Sequence, residues 1–441
     1  MGQKLFRDPL YDYIAVDKDS LFLKLINCPE VQRLRYINQL GLSHFAYPGS
    51  THSRFSHTLG VFHVMQQCVE HLNKDHSTYF NSDDEDALLA ATLLHDIGHG
   101  PFSHATEAFF GDHEQRSVDI ITNPESAVNK VLAEVNKELP AKVAALVAKK
   151  LPKGAKQPSL WQKSLISSQL DADRLDFLRR DSLFSGAEYG NFDWYRIVHT
   201  MQLTKLTEDI QKIFIFWPDK TRYAIEEYLF SRFYMYQSVY FHHTTRGFEC
   251  LLGKILQCAQ DIAKQNKSFS KALLPPVKML LGGKENKSLT RFEKLTDHVL
   301  LAQITIWQSE KNKTLSDLSK RLLERKGIGW EPITEKVGFE ITNKTMQVQK
   351  YLQQKGLDHN YYFFEDKTKA EAYKPYRAAA EEQSSVNSIM LFDPRWSETG
   401  FLEITEIPGL ERLQAITGAP SSILRYYFPK EYERQIKKLL S

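Results

Sequence analysis

Cysteine is scarce, and the four present, Cys28, Cys68, Cys250 and Cys258, include no C-x-x-C pair. That leaves no basis for a thiolate zinc knot or a dithiol redox motif. They read as reduced, mostly buried thiols of a cytoplasmic protein. Long apolar runs are also lacking. None approaches the roughly 18 residues a transmembrane helix needs, so no membrane partner is expected. The first residues, MGQKLFRDPLYDY, carry no apolar signal core, and Phe6 stands where a myristoylation signal has Ser or Thr. Nor is there a strong charge of one sign. A net charge of +3 is too mild to define a nucleic-acid binder. Weak nucleic-acid binding has only the Lys-rich stretch 266–345 behind it. No internal repeat is recognisable.

What is present is an ordinary globular composition, 42% hydrophobic and 25% charged over 441 residues. This length buries a full core and suits one large domain with an appendage. Residues 5–16 alternate around Asp8-Pro9 and predict a small hairpin. A short helix over 21–26 is broken at Asn27-Cys28-Pro29, and the next is expected to run to Gly41. A loop covers 42–53. A long helix follows from about Ser56 to Leu72. Ser82 is the expected N-cap of a helix with an acidic first turn that ends in His95-Asp96. Further helices are expected at 103–110, 113–122, 124–137, 140–149 and 168–183. A basic loop lies at 152–159, a second hairpin near 201–217, and aromatic-rich helices over 221–265. Beyond 345 the pattern changes to a helix, short strand-like runs at 360–364, 387–392 and 402–406, and a closing helix at 429–440. The expected organisation is an N-terminal hairpin and helices over 1–45 and a catalytic core over 46–265. A variable basic region follows over 266–345, with an exposed loop at 282–288, then a small α+β lobe over 346–441. The fold class is mainly α.

The chemistry gathers in AATLLHDIGHGPFSH, residues 90–104. His57, His95, Asp96 and Asp173 form a candidate ligand set. Two imidazoles and two carboxylates suit one divalent Mn, Mg, Fe, Zn or Ni ion with positions left open for substrate. Arg54 precedes His57 by three residues and Arg174 follows Asp173, with Arg179 and Arg180 farther along. Guanidinium groups beside such a set suit polyphosphate. His99, His104 and His113 are candidates for proton transfer or for hydrogen bonds to ligands.

These segments resemble the HD-domain superfamily. More narrowly, FRDPLYDYI, VQRLRYINQLG, HSRFSHTLGV, LLHDIGHGPFSH and LDADRLDFLRRD are similar to the deoxynucleoside triphosphate triphosphohydrolases, in the SAMHD1-like branch with its bacterial members. The likeness covers about residues 4–250. It implies a mostly helical core that cleaves a dNTP between the 5′-oxygen and the α-phosphate. It implies His57, His95, Asp96 and Asp173 as metal ligands and His104 as the acid for the leaving oxygen. His99 and His113 would flank the α-phosphate. Arg54, Arg174 and Arg232 match phosphate contacts. Gln39 and Leu40 match positions near the deoxyribose, Asp181 and Tyr240 the pair that reads the 3′-hydroxyl, and His242 another pocket position. Asn27, Gln32 and Arg35 match an activating-nucleotide segment. There Asn27 replaces an Asp, and an amide offers guanine a different donor and acceptor set. The resemblance also implies dimers or tetramers. Two other readings fit the residues: an HD-type phosphodiesterase or nuclease, and a non-catalytic nucleotide-responsive module.

Overall fold

The long helix expected near Ser56 extends over Arg54–His76, and neighbouring helices pack around it. Ser53 caps it, its hydroxyl accepting from the Ser56 amide at 3.3 Å. Phe55, Leu59, Phe62, Val64, Met65, Cys68 and Leu72 are all buried, so most of its circumference faces protein rather than water. Helices Ser82–Leu94 and Ala172–Ser185 pack directly against it. Gly60 makes the second contact feasible. A Cβ there would lie 2.0 Å from Asp176 Oδ1. The computed structural model describes residues 2–204, 213–282, 288–333, 339–370, 388–396, 398–417 and 421–441.

Among the described residues the architecture is mainly helical with three small sheets. Gln3–Asp8 and Asp12–Asp17 form the expected antiparallel hairpin, with Asp8 opposite Asp12. Gln202–Leu203 pairs antiparallel with Ile215–Pro218, and the link over 205–212 lies outside the described residues. That sheet is completed by Met390–Phe392, parallel to Ile215–Pro218, and Phe401–Glu403. The third sheet joins Ile328–Pro332, Ser421–Pro429 and Phe364–Ala370. It docks on the His243–Gln265 helix. Arg246 pairs with Asp366 there, and the Tyr427 hydroxyl donates to the His243 carbonyl at 3.0 Å. No described helix is long and apolar enough to cross a membrane.

Several boundaries moved for identifiable reasons. The helix expected to reach Gly41 is Pro29–Gln32 followed by a 3₁₀ turn to Tyr36. Ile37 turns extended and Asn38 bridges to Ser53, which withdraws the backbone from the helix. Asn81, not Ser82, caps the acidic helix, its side chain accepting from the Asp84 amide at 2.9 Å. The helix expected from 168 starts at Ala172, because Asp171 accepts from the amides of Ser168 and Arg174, each at 2.8 Å. The run at 360–364 is largely the helical turn His359–Tyr362, with strand beginning at Phe364. The run at 402–406 is strand only to Glu403 and 3₁₀ thereafter. Of the loop expected at 282–288, residues 283–287 lie outside the described residues, as does residue 387 of the middle run. All four cysteines are free, and burial first among the causes pushes each thiol up to about 12.

Candidate metal centre and active site

Three helix ends converge. Arg54–His76 contributes His57 from its first turn, Ser82–Leu94 is capped at its C-terminus by His95, and Ala172–Ser185 contributes Asp173 from its first turn. Two of these ends are N-terminal, and their free amides and dipoles favour anions. His57 Nε2 lies 3.0 Å from Asp173 Oδ1, and His95 Nε2 lies 3.7 Å from the same oxygen. Those three groups could hold one ion. Asp96 borders them, with Oδ1 3.4 Å from His95 Nε2 and Oδ2 3.8 Å from His57 Nε2. It also faces His99 Nε2 at 3.4 Å and accepts a charge-assisted hydrogen bond from Arg54.

The outer nitrogens of both imidazoles are tied back. His57 Nδ1 is 2.8 Å from Asp176 Oδ2, and His95 Nδ1 is 2.7 Å from the Thr92 carbonyl oxygen. These contacts orient each Nε2 toward the shared space. His95 Nε2 is buried there without a hydrogen-bond partner. The electrostatics agree. Burial opposes charge on His57, yet hydrogen bonds to Asp173 and Asp176 raise it to about 10. His95 is also raised, because the neighbouring carboxylates outweigh its burial. Burial would raise Asp173, but both histidines hold it well below the usual carboxylate range. A cluster that retains protons so strongly attracts positive charge, and a divalent cation in their place satisfies the same carboxylates. The donor set therefore fits a divalent ion.

Asp176 and its support carry a signal that the ligand motif does not contain. Its carboxylate accepts from Arg180 Nε at 2.8 Å and Nη2 at 2.9 Å. Arg180 in turn donates to Asp8 on the N-terminal hairpin at 2.8 Å. Arg180 therefore serves this buried chain rather than a phosphate. Arg179 lies over Trp194, 4.6 Å from the ring centroid. Asp176, three residues beyond Asp173 on one helix, was findable by its i+3 spacing. Asp8 was not, because its role depends on the packing of a distant hairpin.

Beyond Asp96, His99 stacks on His113 with ring centroids 3.7 Å apart, and His104 meets both rings edge-on. Glu107 bridges His113 and His104, with His104 Nδ1 at 3.3 Å. Burial would raise Glu107, but the two histidines hold it well below the usual range. Burial first, then the charge of Arg54, keep His99 far below its ordinary value and so neutral. The His104 side chain is 63% exposed, at the mouth of the cluster. Gly98 permits the turn between His95 and His99. A Cβ there would sit 2.1 Å from the His113 carbonyl oxygen.

On the other side, Asp181 is buried between two partners. Tyr240 donates to Oδ2 at 2.8 Å, and His52 Nε2 is 2.8 Å from Oδ1. Tyr240 ends a π-helical turn, Tyr236–Tyr240, a distortion that re-aims side chains at sites of this kind. Burial and Asp181 push its hydroxyl well up, so it remains a donor. The Gln39 amide donates to the His52 carbonyl at 2.9 Å, while Gln39 Oε1 is buried without a partner. Leu40, beside it, is half-buried. Arg174 pairs with Asp171, and Arg232 donates to Gln169 Oε1 at 2.7 Å. Each keeps a buried Nε without a hydrogen-bond partner. His242 caps its own helix, accepting from the Thr244 amide at 3.3 Å, and faces Tyr47. Asn27 caps the first helix, Gln32 donates to the Ile26 carbonyl at 2.7 Å, and Arg35 donates to Gln32 at 2.8 Å. Asn27 and Arg35 are exposed and Gln32 is half-buried, and the Arg35 guanidinium lies over the Phe55 ring, 3.6 Å from its centroid.

Residues 54–178 match the HD domain, and residues 192–274 match the HD associated region. The uncharacterized protein YwfO of Bacillus subtilis is 36% identical over 386 residues, covering 86% of this chain and 83% of its own. A solved phosphohydrolase from Bacteroides thetaiotaomicron superposes with a TM-score of 0.76 at 27% identity, over 97% of this chain and 99% of the other. The chain belongs to the HD-domain phosphohydrolase family. The chicken deoxynucleoside triphosphate triphosphohydrolase SAMHD1 is 26% identical over 328 residues. The match covers 68% of this chain and about half of that relative, 51%.

Proposed function

We propose that this phosphohydrolase acts on deoxynucleoside triphosphates and releases deoxynucleoside and inorganic triphosphate. The observation that supports this best is the Tyr240–Asp181 hydrogen bond, with Asp181 on the same helix as Asp173. Asp173 and Asp181 stand eight residues apart on one helix, a rise of about 12 Å. That leaves room between them for a sugar and its first phosphate. Asp181, braced by His52, and the Tyr240 hydroxyl offer an acceptor and a donor that suit a 3′-hydroxyl. The Tyr240 ring, edge-on to Phe177, would crowd a 2′-hydroxyl.

His57, His95, Asp96 and Asp173 would hold the divalent ion, which supplies positive charge against the phosphate oxygens and acidifies water. The free Nε–H groups of Arg174 and Arg232 suit the triphosphate oxygens. Water attacks the α-phosphorus, and the bond from phosphorus to the 5′-oxygen breaks. His104, held by Glu107, delivers the proton to that oxygen. His99, kept neutral, and His113 flank the phosphate. Gln39 and Leu40 border the sugar, and His242 completes the pocket. Asn27, Gln32 and Arg35 form the proposed activator surface, and the proposed assembly is a dimer or tetramer, testable by light scattering with and without nucleotide.

The test is chromatography of products from each dNTP, alone and mixed, with Mn or Mg. The expected products are deoxynucleoside plus triphosphate, lost in His95→Ala. Monophosphate plus pyrophosphate, or degradation of single-stranded DNA in place of dNTPs, would overturn the reading and favour a phosphodiesterase or nuclease on the same scaffold.

A further inference from the structure

One buried carboxylate reaches the site from outside both family-matched stretches. Asp297 opens the Asp297–Trp307 helix and is only 2% exposed. Its Oδ1 accepts from the Phe102 amide at 2.7 Å, and its Oδ2 accepts from the Asn38 amide at 2.8 Å. Asn38 begins the Gln39–Leu40 segment, and Phe102 precedes His104 by two residues. Phe102 and Ser103 both have φ of 54°, a conformation that side chains other than glycine rarely adopt. Such a backbone persists only where its surroundings over-determine it.

The surroundings here are specific. Ser103 Oγ donates to the Asn38 carbonyl at 3.0 Å and accepts from Arg54 Nε at 2.9 Å. Arg33, also buried, donates to the Leu295 carbonyl at 3.0 Å and to the His99 carbonyl at 2.7 Å. The segment 295–297 is therefore fastened to the catalytic turn directly at Phe102 and, through Arg33, at His99. Asn38 is gripped at both its amide and its carbonyl.

We propose that Asp297 is a positioning residue that locks the sugar-side segment 38–40 and the acid-bearing loop 102–104 into one register. It touches neither the ion nor the reacting atoms. It acts by fixing one backbone amide in each loop, beside the Ser103–Asn38 hydrogen bond that also joins them. The turnover part of the test rests on the dNTP reading, and the exchange part does not.

The experiment compares wild type, Asp297→Asn and Asp297→Ala. Asn keeps one oxygen acceptor but turns an NH₂ toward the other amide, so it can hold only one loop. Residue-resolved hydrogen exchange should show the Asn38 and Phe102 amides opening about tenfold faster in Asp297→Ala. Protection within the Arg54–His76 helix should be unchanged, with metal content equal to wild type. The kcat should fall about tenfold or more in Asp297→Ala and less in Asp297→Asn, with KM altered far less. Unchanged exchange at both amides would overturn the proposal. So would a general loss of protection and metal, which marks a merely structural group. If the wild type releases no deoxynucleoside, the dNTP reading fails, and the exchange result alone decides the role of Asp297.

Discussion

Removing Asp176 tests whether the metal site depends on the buried chain behind it. The carboxylate is fully buried between His57 and Arg180, whose side chain is also 0% exposed. In Asp176→Ala, Arg180 keeps only Asp8, and His57 Nδ1 loses its partner. Breaking a buried ion pair costs about 3–5 kcal/mol. The surviving contact to Asp8 at 2.8 Å places the expected loss at the lower end, about 3 kcal/mol. Loss of a ligand's supporting hydrogen bond adds a metal-affinity decrease of about 10–100-fold. Asp176→Asn keeps the shape and one acceptor, so it should lose affinity with less destabilisation. The assays are thermal melts in chelator, which read the ion-free protein, and calorimetric Mn titration of each variant. Equal melting and equal Mn affinity in Asp176→Ala and wild type would refute the reasoning.

Burial raises Asp297 to about 6 from its ordinary 3.8, against Arg33 and Arg54 nearby and its two backbone hydrogen bonds. The folded state thus holds more protons than the unfolded state between those values, so ionising Asp297 costs stability as pH rises through that window, by up to about 3 kcal/mol. Since Asn does not titrate, the melting temperature of Asp297→Asn minus that of wild type should increase from pH 4 to pH 7; a flat difference would refute the shift. Tyr240→Phe leaves Asp181 with only His52 and should raise KM for dNTPs more than it changes metal content, measured by initial rates and metal analysis. His104→Ala should lower turnover about 10²–10⁴-fold with the ion retained, and equal rates would remove His104 from the reaction. Chelation should lower the melting temperature, because His57, His95 and Asp173 lose their common cation, and added Mn should restore it.

Much of the site was legible because its chemistry is written in short segments. His95-Asp96 sits at the end of a helix that its cap and acidic first turn predict, and Asp173 and Asp176 share one helix. Asp181 and Tyr240 came only through family likeness, since nothing local distinguishes Tyr240 from the other aromatics around it. The helix expected to reach Gly41 shows the limit from the other side. It is α-helical only over Pro29–Gln32 and 3₁₀ to Tyr36, and the bridge from Asn38 to Ser53 draws the chain away beyond that.

By itself the sequence determined the mainly helical class, the N-terminal hairpin and the histidine and carboxylate set, because helical periodicity, caps and donor chemistry are local properties. Only the tertiary structure decided that Arg180 neutralises Asp176 and Asp8 instead of facing a phosphate. It alone brought Asp297 across 195 residues to the Phe102 amide. Burial is the physical reason. Removed from water, a charged or hydrogen-bonding group must find its partner wherever the fold supplies one, and separation along the chain places no limit on that choice.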